Sequence, residues 1–138
     1  MITLHAIEAR INRQKIREHA GESFIEKDSV VSKIPCLSVH SDEQFLFGVY
    51  KSNDTWTVLS VGNLYAVYKG SLVVLRLETE GEKIHDYLGK EGNNFKTDVE
   101  LDGGKKIWMK SVEVSCAIQN IVMMLQAIPY GTILTEKK

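Results

Sequence analysis

Between residues 44 and 79, apolar and polar positions fall into four β-rich runs, about 44–51, 55–61, 64–69 and 71–78. Short runs rich in Val, Leu, Tyr and Trp, bounded by turn formers, carry the signature of strands. The links Ser52-Asn53-Asp54, Gly62-Asn63 and Lys69-Gly70 supply those turns, so the four runs read as an antiparallel meander. Two-residue turns at the last two links put Val58, Tyr65, Val67, Leu72 and Val74 on one face. They put Leu59, Val61, Leu64, Ala66, Val73, Leu75 and Leu77 on the other. Both faces are apolar, and such a sheet must be covered on both sides by helices, by its own curling, or by a second subunit.

Ahead of the meander, Leu4, Ile7 and Ile11 follow helical spacing within a helix expected over 3–20, with Thr3 to cap it and Gly21 to close it. Ile16 falls off that stripe. The segment 29–40 is β-branched but contains Pro35, which lacks the N–H of a central ladder, and so predicts an edge or irregular strand. After the meander, Thr79 and Glu82 form a capping box ahead of Ile84, Tyr87 and Leu88, predicting a short helix that Gly89 ends. Residues 97–102 and 106–110 then predict a second hairpin around Gly103-Gly104. A two-residue loop would mix charge with core on both of its faces. A three-residue loop of Gly103, Gly104 and Lys105 sets Leu101 opposite Ile107 and Val99 opposite Met109 in the core. Outside, it sets Asp102 with Lys106, Asp98 with Lys110 and Glu100 beside Trp108.

A long helix over about 111–128 carries Val114, Ala117, Ile118, Ile121, Val122, Leu125 and Ile128 on one broad stripe. Met123 and Met124 widen that stripe and predict burial on more than one side, and Pro129 and Gly131 stop the helix. The expected fold class is therefore α+β. An antiparallel meander sheet, flat or rolled, is accompanied by an N-terminal helix, a short middle helix, a second hairpin and a long apolar C-terminal helix.

A length of 138 residues with 43% hydrophobic and 25% charged side chains fits one globular domain over 1–138 with a core of its own. The net charge of −1 gives no whole-protein field for a polyanion, which leaves only local patches to attract a charged partner. Glu8, Arg10, Arg13, Lys15 and Arg17 interrupt the N-terminal stretch and exclude a secretory signal there. The most apolar stretch, 117–128, falls short of the roughly 20 residues that span a bilayer. A cytoplasmic protein with no membrane partner is expected, with Cys36 and Cys116 reduced and packed as small hydrophobes.

His5, His19, His40 and His85 show no metal-ligand spacing, and Gly89-Lys90-Glu91-Gly92 lacks the setting of a phosphate loop, so neither metal nor cofactor is expected. Cys36 and His40 could face one side of a strand, but no third group orients them, and a catalytic pair is not expected. Asp98, Glu100 and Asp102 alternate along one strand face about 7 Å apart. Lys106 and Lys110 would offset them, which favours a solvated face over an acid–base or cation site. Trp108 on the same face is the kind of anchor that interfaces favour, which makes Asp98, Glu100, Asp102 and Trp108 the first candidate partner surface. Arg10, Arg13 and Arg17 fall within about 60° on a continuous helix and form a secondary candidate surface. Three arginines without an aromatic and basic run argue against nucleic acid as the partner.

The absence of a catalytic constellation predicts no enzyme and favours a module that binds another protein. Its most concrete form is a small cytoplasmic inhibitor of the immunity-protein kind, covering the active site of a cognate toxin. Were that toxin a nuclease, the carboxylates would meet its basic groove. A chaperone-like homodimer holding a client is the first alternative. A small-ligand pocket or unrecognised enzyme, lined by Tyr65, Tyr68 or His85, is the second.

Overall fold

The structure, a computed structural model, describes residues 2–40, 43–80, 98–101, 104–126 and 133–134. The chain opens with a short strand β1 (Ile2–Thr3) and runs directly into α1 (Leu4–Arg13). The single helix expected over 3–20 is two helices, because Lys15 adopts φ 57° and ψ 35° and the chain restarts as α2 (Ile16–Ala20). That left-handed residue turns the second helix, so Ile16, which would lie off the stripe of a continuous helix, is fully buried alongside Ile7 and Ile11.

A strand that the sequence did not signal follows, β2 (Phe24–Glu26), only three residues long. Residues 27–40 do not form the expected edge strand. They form 3-10 turns around a short helix α3 (Val30–Lys33), with a further 3-10 turn over Pro35–His40. Val30, Ile34 and Leu37 are spaced by four and three, as a helical segment requires, and all three are buried. Their β-branched chemistry points to a strand, whereas their spacing points to this turn-rich cover.

The meander is present as expected: β3 (Phe45–Ser52), β4 (Thr55–Ser60), β5 (Asn63–Tyr68) and β6 (Ser71–Arg76). With β2 they form one antiparallel sheet in the order β2-β3-β4-β5-β6. At the β5–β6 link Tyr68 pairs with Ser71 across Lys69 and Gly70, whose φ values of 49° and 85° are those of a tight primed turn. The β4–β5 link is Val61-Gly62 rather than Gly62-Asn63, and Leu59 pairs with Leu64. The pairing sum moves by two residues, so every side chain keeps its expected face. In β3 a register irregularity between Phe45 and Phe47 puts Leu46 and Phe47 into the same core while Phe45 serves the other.

One face of the sheet packs against α1, α2, a hairpin of β7 (Asp98–Glu100) and β8 (Lys106–Trp108), and the long helix α4 (Val112–Gln126). The other face packs against Val30, Ile34 and Leu37. A strand β9 (Ile133–Leu134) pairs in parallel with β1. Helical backbone begins at residue 77, two residues ahead of the expected cap at Thr79, while Glu82 and the rest of that helix lie outside the described residues. In α4, Ser111 accepts the Val114 N–H at 3.2 Å as an N-terminal cap. Val114, Ala117, Ile118, Ile121, Val122 and Leu125 are buried. The same helix corrects two expectations, since Cys116 and Met123 lie with Glu113 and Asn120 on an exposed stripe, and Cys36 is exposed too.

Gly48 lies between Ile25 of β2 and Val58 of β4. A Cβ there would stand 2.9 Å from Val58 Cγ2, 3.0 Å from the Thr57 carbonyl oxygen and 3.2 Å from Ile25 Cδ1. The neighbours on both sides of the strand must therefore move to admit a methyl group. Gly48→Ala should lower stability by roughly 1–3 kcal/mol in chemical denaturation, and an unchanged midpoint would show that the strands separate without cost.

Candidate functional site

The second hairpin is held to the sheet by main chain as well as by packing. Val99, Leu101, Ile107 and Met109 are buried in the larger core, as expected from their alternation. The Thr57 hydroxyl, itself buried, donates to the Trp108 carbonyl oxygen at 2.5 Å and fixes β8 across the central strands. Leu101 N–H donates to the Lys105 carbonyl at 2.7 Å, so the connection is 102–104 rather than 103–105. Gly104 takes φ 80°, the left-handed conformation that a glycine supplies in such a loop.

This shifted register moves the cross-strand partners by two residues and leaves the faces unchanged. Val99 stands opposite Ile107 instead of Met109, Asp98 opposite Trp108 instead of Lys110, and Glu100 opposite Lys106. The expected juxtaposition of Glu100 with Trp108 therefore becomes a diagonal one, and Asp102 lies outside the described residues. Trp108 is half-buried and packs against the larger core. Glu100 is exposed.

Next to this face, the Tyr68 ring lies beneath two ammonium groups, Lys69 at 5.5 Å and Lys106 at 5.7 Å from its centroid. Lys105 Nζ reaches the Leu72 carbonyl of β6 at 3.4 Å. The hairpin surface is thus continuous with the start of β6. Lysines 69, 105 and 106 give this end a cationic component that the alternating carboxylates do not reveal. The sequence pattern places Lys106 beside the carboxylates but does not reveal Tyr68, Lys69 and Lys105 as its neighbours, because they gather from segments distant in the chain.

The secondary candidate is divided by the helix break. Arg10 and Arg13 belong to α1, whereas Arg17 belongs to α2. Arg17 is committed within the fold: Nε and Nη2 donate to the Glu26 carboxylate at 2.9 and 2.7 Å, Nη1 donates to Asn12 Oδ1 at 3.2 Å, and the guanidinium covers the Phe24 ring at 4.8 Å. Lys27 forms an ion pair with Glu8 nearby. Arg13 is exposed, and Arg10 is half-buried with its Nε shielded from solvent and unpartnered.

Two clefts open among the described residues. One of about 400 Å³ is lined by Phe24, Ser29, Ser32, Lys33 and Tyr50 among others, and one of about 250 Å³ by the ion pairs around Arg17 and Lys27. Tyr65 lines neither; it is buried, and its hydroxyl donates to Glu43 at 3.1 Å. Tyr68 lines neither as well, and His85 lies outside the described residues. Cys36 belongs to a 3-10 turn, not to a strand on which it would share a face with His40. Among the described residues no group of three His, Cys, Asp or Glu could hold a metal ion. No described helix is long and apolar enough to cross a membrane.

Hydrogen bonding from Arg17 holds the Glu26 carboxyl below its ordinary range. The pair thus adds stability above the ordinary carboxylate pKa, and that contribution disappears as pH falls through the lowered value. Both side chains are about half exposed, 49% and 54%, so solvent screening keeps the effect small. Glu26→Gln should be slightly less stable than the parent at neutral pH and converge with it in acid; an equal gap across the acid range would assign the effect to packing. Thr57→Val should cost about 1 kcal/mol and speed amide exchange in β7–β8 more than in β3–β5, whereas uniform exchange would remove the hydroxyl's role as a tether.

Comparison of the chain with known protein families, curated proteins and solved structures finds no match to any of them.

Proposed function

We propose that this chain is a non-enzymatic domain that binds another protein through the outer face of the second hairpin. The observation that carries the reading is the placement of Trp108: its carbonyl is fixed by Thr57, and its side chain packs against the core while remaining only half-buried. An aromatic side chain held in this way loses little conformational freedom on binding, which is what an interface anchor requires. Asp98 at the opposing register position and exposed Glu100 supply acidic residues around it, and Lys106 and Tyr68 border them.

In its most concrete form the partner is a cognate toxin in the cytoplasm and this chain its immunity-type inhibitor. The carboxylates of Asp98, Glu100 and Asp102 suit a cationic partner surface, such as the groove in which a nuclease holds its polyanionic substrate. Arg13, exposed at the end of α1, remains available as a separate peripheral contact, whereas Arg17 would first have to leave Glu26.

The purified chain, used as bait in an extract of its native source, should retain one protein in stoichiometric amount. The triple variant Asp98→Asn, Glu100→Gln, Asp102→Asn should bind that protein at least about tenfold more weakly, a difference of roughly 1.4 kcal/mol. Trp108→Ala should weaken it further, with a melting curve separating lost binding from lost packing. Unchanged affinity in the triple variant and in a folded Trp108→Ala would remove the hairpin face as the contact surface.

A further inference from the structure

Among the described residues, the cover over the second face of the sheet stops short of its last strand. Val30, Ile34 and Leu37 bury Phe45, Trp56, Val58 and Tyr65, but Leu72 and Val74 on β6 remain 53% and 45% exposed. No described strand lies beyond β6. Because Tyr68 and Ser71 close a two-residue hairpin, residues 71, 73 and 75 turn their main-chain groups towards β5. Leu72, Val74 and Arg76 turn theirs outward. Two charged side chains confirm that direction: Lys105 Nζ meets the Leu72 carbonyl, and Glu80 accepts the Arg76 N–H at 3.3 Å.

We infer that β6 is a self-association edge, at which a second copy of this chain pairs antiparallel across a two-fold axis through Val74. In that register Val74 faces Val74 of the second copy, and Leu72 faces Arg76 of the second copy. The outward groups of all three residues then find main-chain partners, each pair exchanging both of its hydrogen bonds. All three side chains share the uncovered face, so Leu72 and Val74 of the two copies form one continuous apolar strip.

Charge selects this occupant. The beginning of β6 is cationic, with Lys69 in the preceding turn and Lys105 over Leu72, while at its end Glu78 and Glu80 outnumber the exposed Arg76 and leave a net negative charge. An antiparallel second copy brings the cationic beginning of each β6 beside the anionic end of the other. Lys105 and Glu80, which occupy outward main-chain groups in the isolated chain, exchange those contacts for one another across the axis. A parallel copy would bring like charges together. The inference does not depend on the hairpin reading, and the two fail separately.

Analytical ultracentrifugation of the full chain over a wide concentration range tests it. The expected result is a monomer–dimer equilibrium weakened by raised salt. Val74→Pro removes an outward N–H from an edge strand without breaking a bond to β5, and should raise the dimer Kd about tenfold or more. Val74→Lys, at an exposed side chain, should do the same through repulsion at the axis and serves if the proline variant fails to fold. Reversing Lys69 and Glu78 together, Lys69→Glu with Glu78→Lys, should retain more of the dimer than either change alone. A parent chain that stays monomeric throughout, or a dimer indifferent to both Val74 variants, would overturn the inference whether or not the hairpin captures a partner.

Discussion

The strand β4 has no exposed face, and that fact dictates most of the architecture. From Thr55 to Ser60 every residue is buried, with Trp56 and Val58 in one core and Leu59 in the other. Apolar burial drives both covers onto the sheet but does not orient them, because the hydrophobic effect has no direction. Orientation comes from the buried hydroxyls. Thr57 binds the Trp108 carbonyl on the hairpin side. On the other side Ser60, Asn63 and Tyr65 converge on Glu43, two residues ahead of β3. The hairpin layer is therefore driven by apolar contact and registered by a buried hydroxyl that would be costly to leave unpaired.

The same arrangement positions the surfaces available for binding. The hairpin is short, yet its inner residues enter the larger core and its carbonyl is held by Thr57, so its outer residues inherit the rigidity of the sheet. At β6 the reverse occurs: Val73 and Leu75 enter the larger core while Leu72 and Val74 on the opposite face stay about half exposed. Among the described residues the strand is buried on one face alone, and no strand lies beyond its edge.

Period two explains how much of this was legible in the sequence. Both the β4–β5 turn and the second hairpin are shifted by two residues from the expected pairing, and a shift of two preserves faces while changing partners. The burial of Val99, Ile107 and Met109 could thus be read correctly, whereas the neighbour of Trp108 could not. The α1–α2 break was hidden because Lys15 has no special reason to adopt a left-handed conformation; only the misfit of Ile16 signalled it. In 27–40, residue chemistry and residue spacing disagreed, and the spacing of Val30, Ile34 and Leu37 prevailed because it lets them reach one sheet face. The candidate surface was legible as a face that includes Lys106, but Lys69 and Lys105 could be joined to β6 beside it only once the hairpin was docked.

The charged guards of β6 carry a further implication for specificity. Lysine on an open edge ordinarily discourages strand addition, because an incoming strand must displace it and leave a charge without a partner. Lys105 and Glu80 impose that penalty on a neutral strand. They impose it least on a strand that presents the opposite charge at each end, in the antiparallel sense and in one register. Opposite guards at opposite ends therefore discriminate among pairings as well as suppressing them, since each displaced charge regains a counter-ion only in the arrangement that aligns both ends.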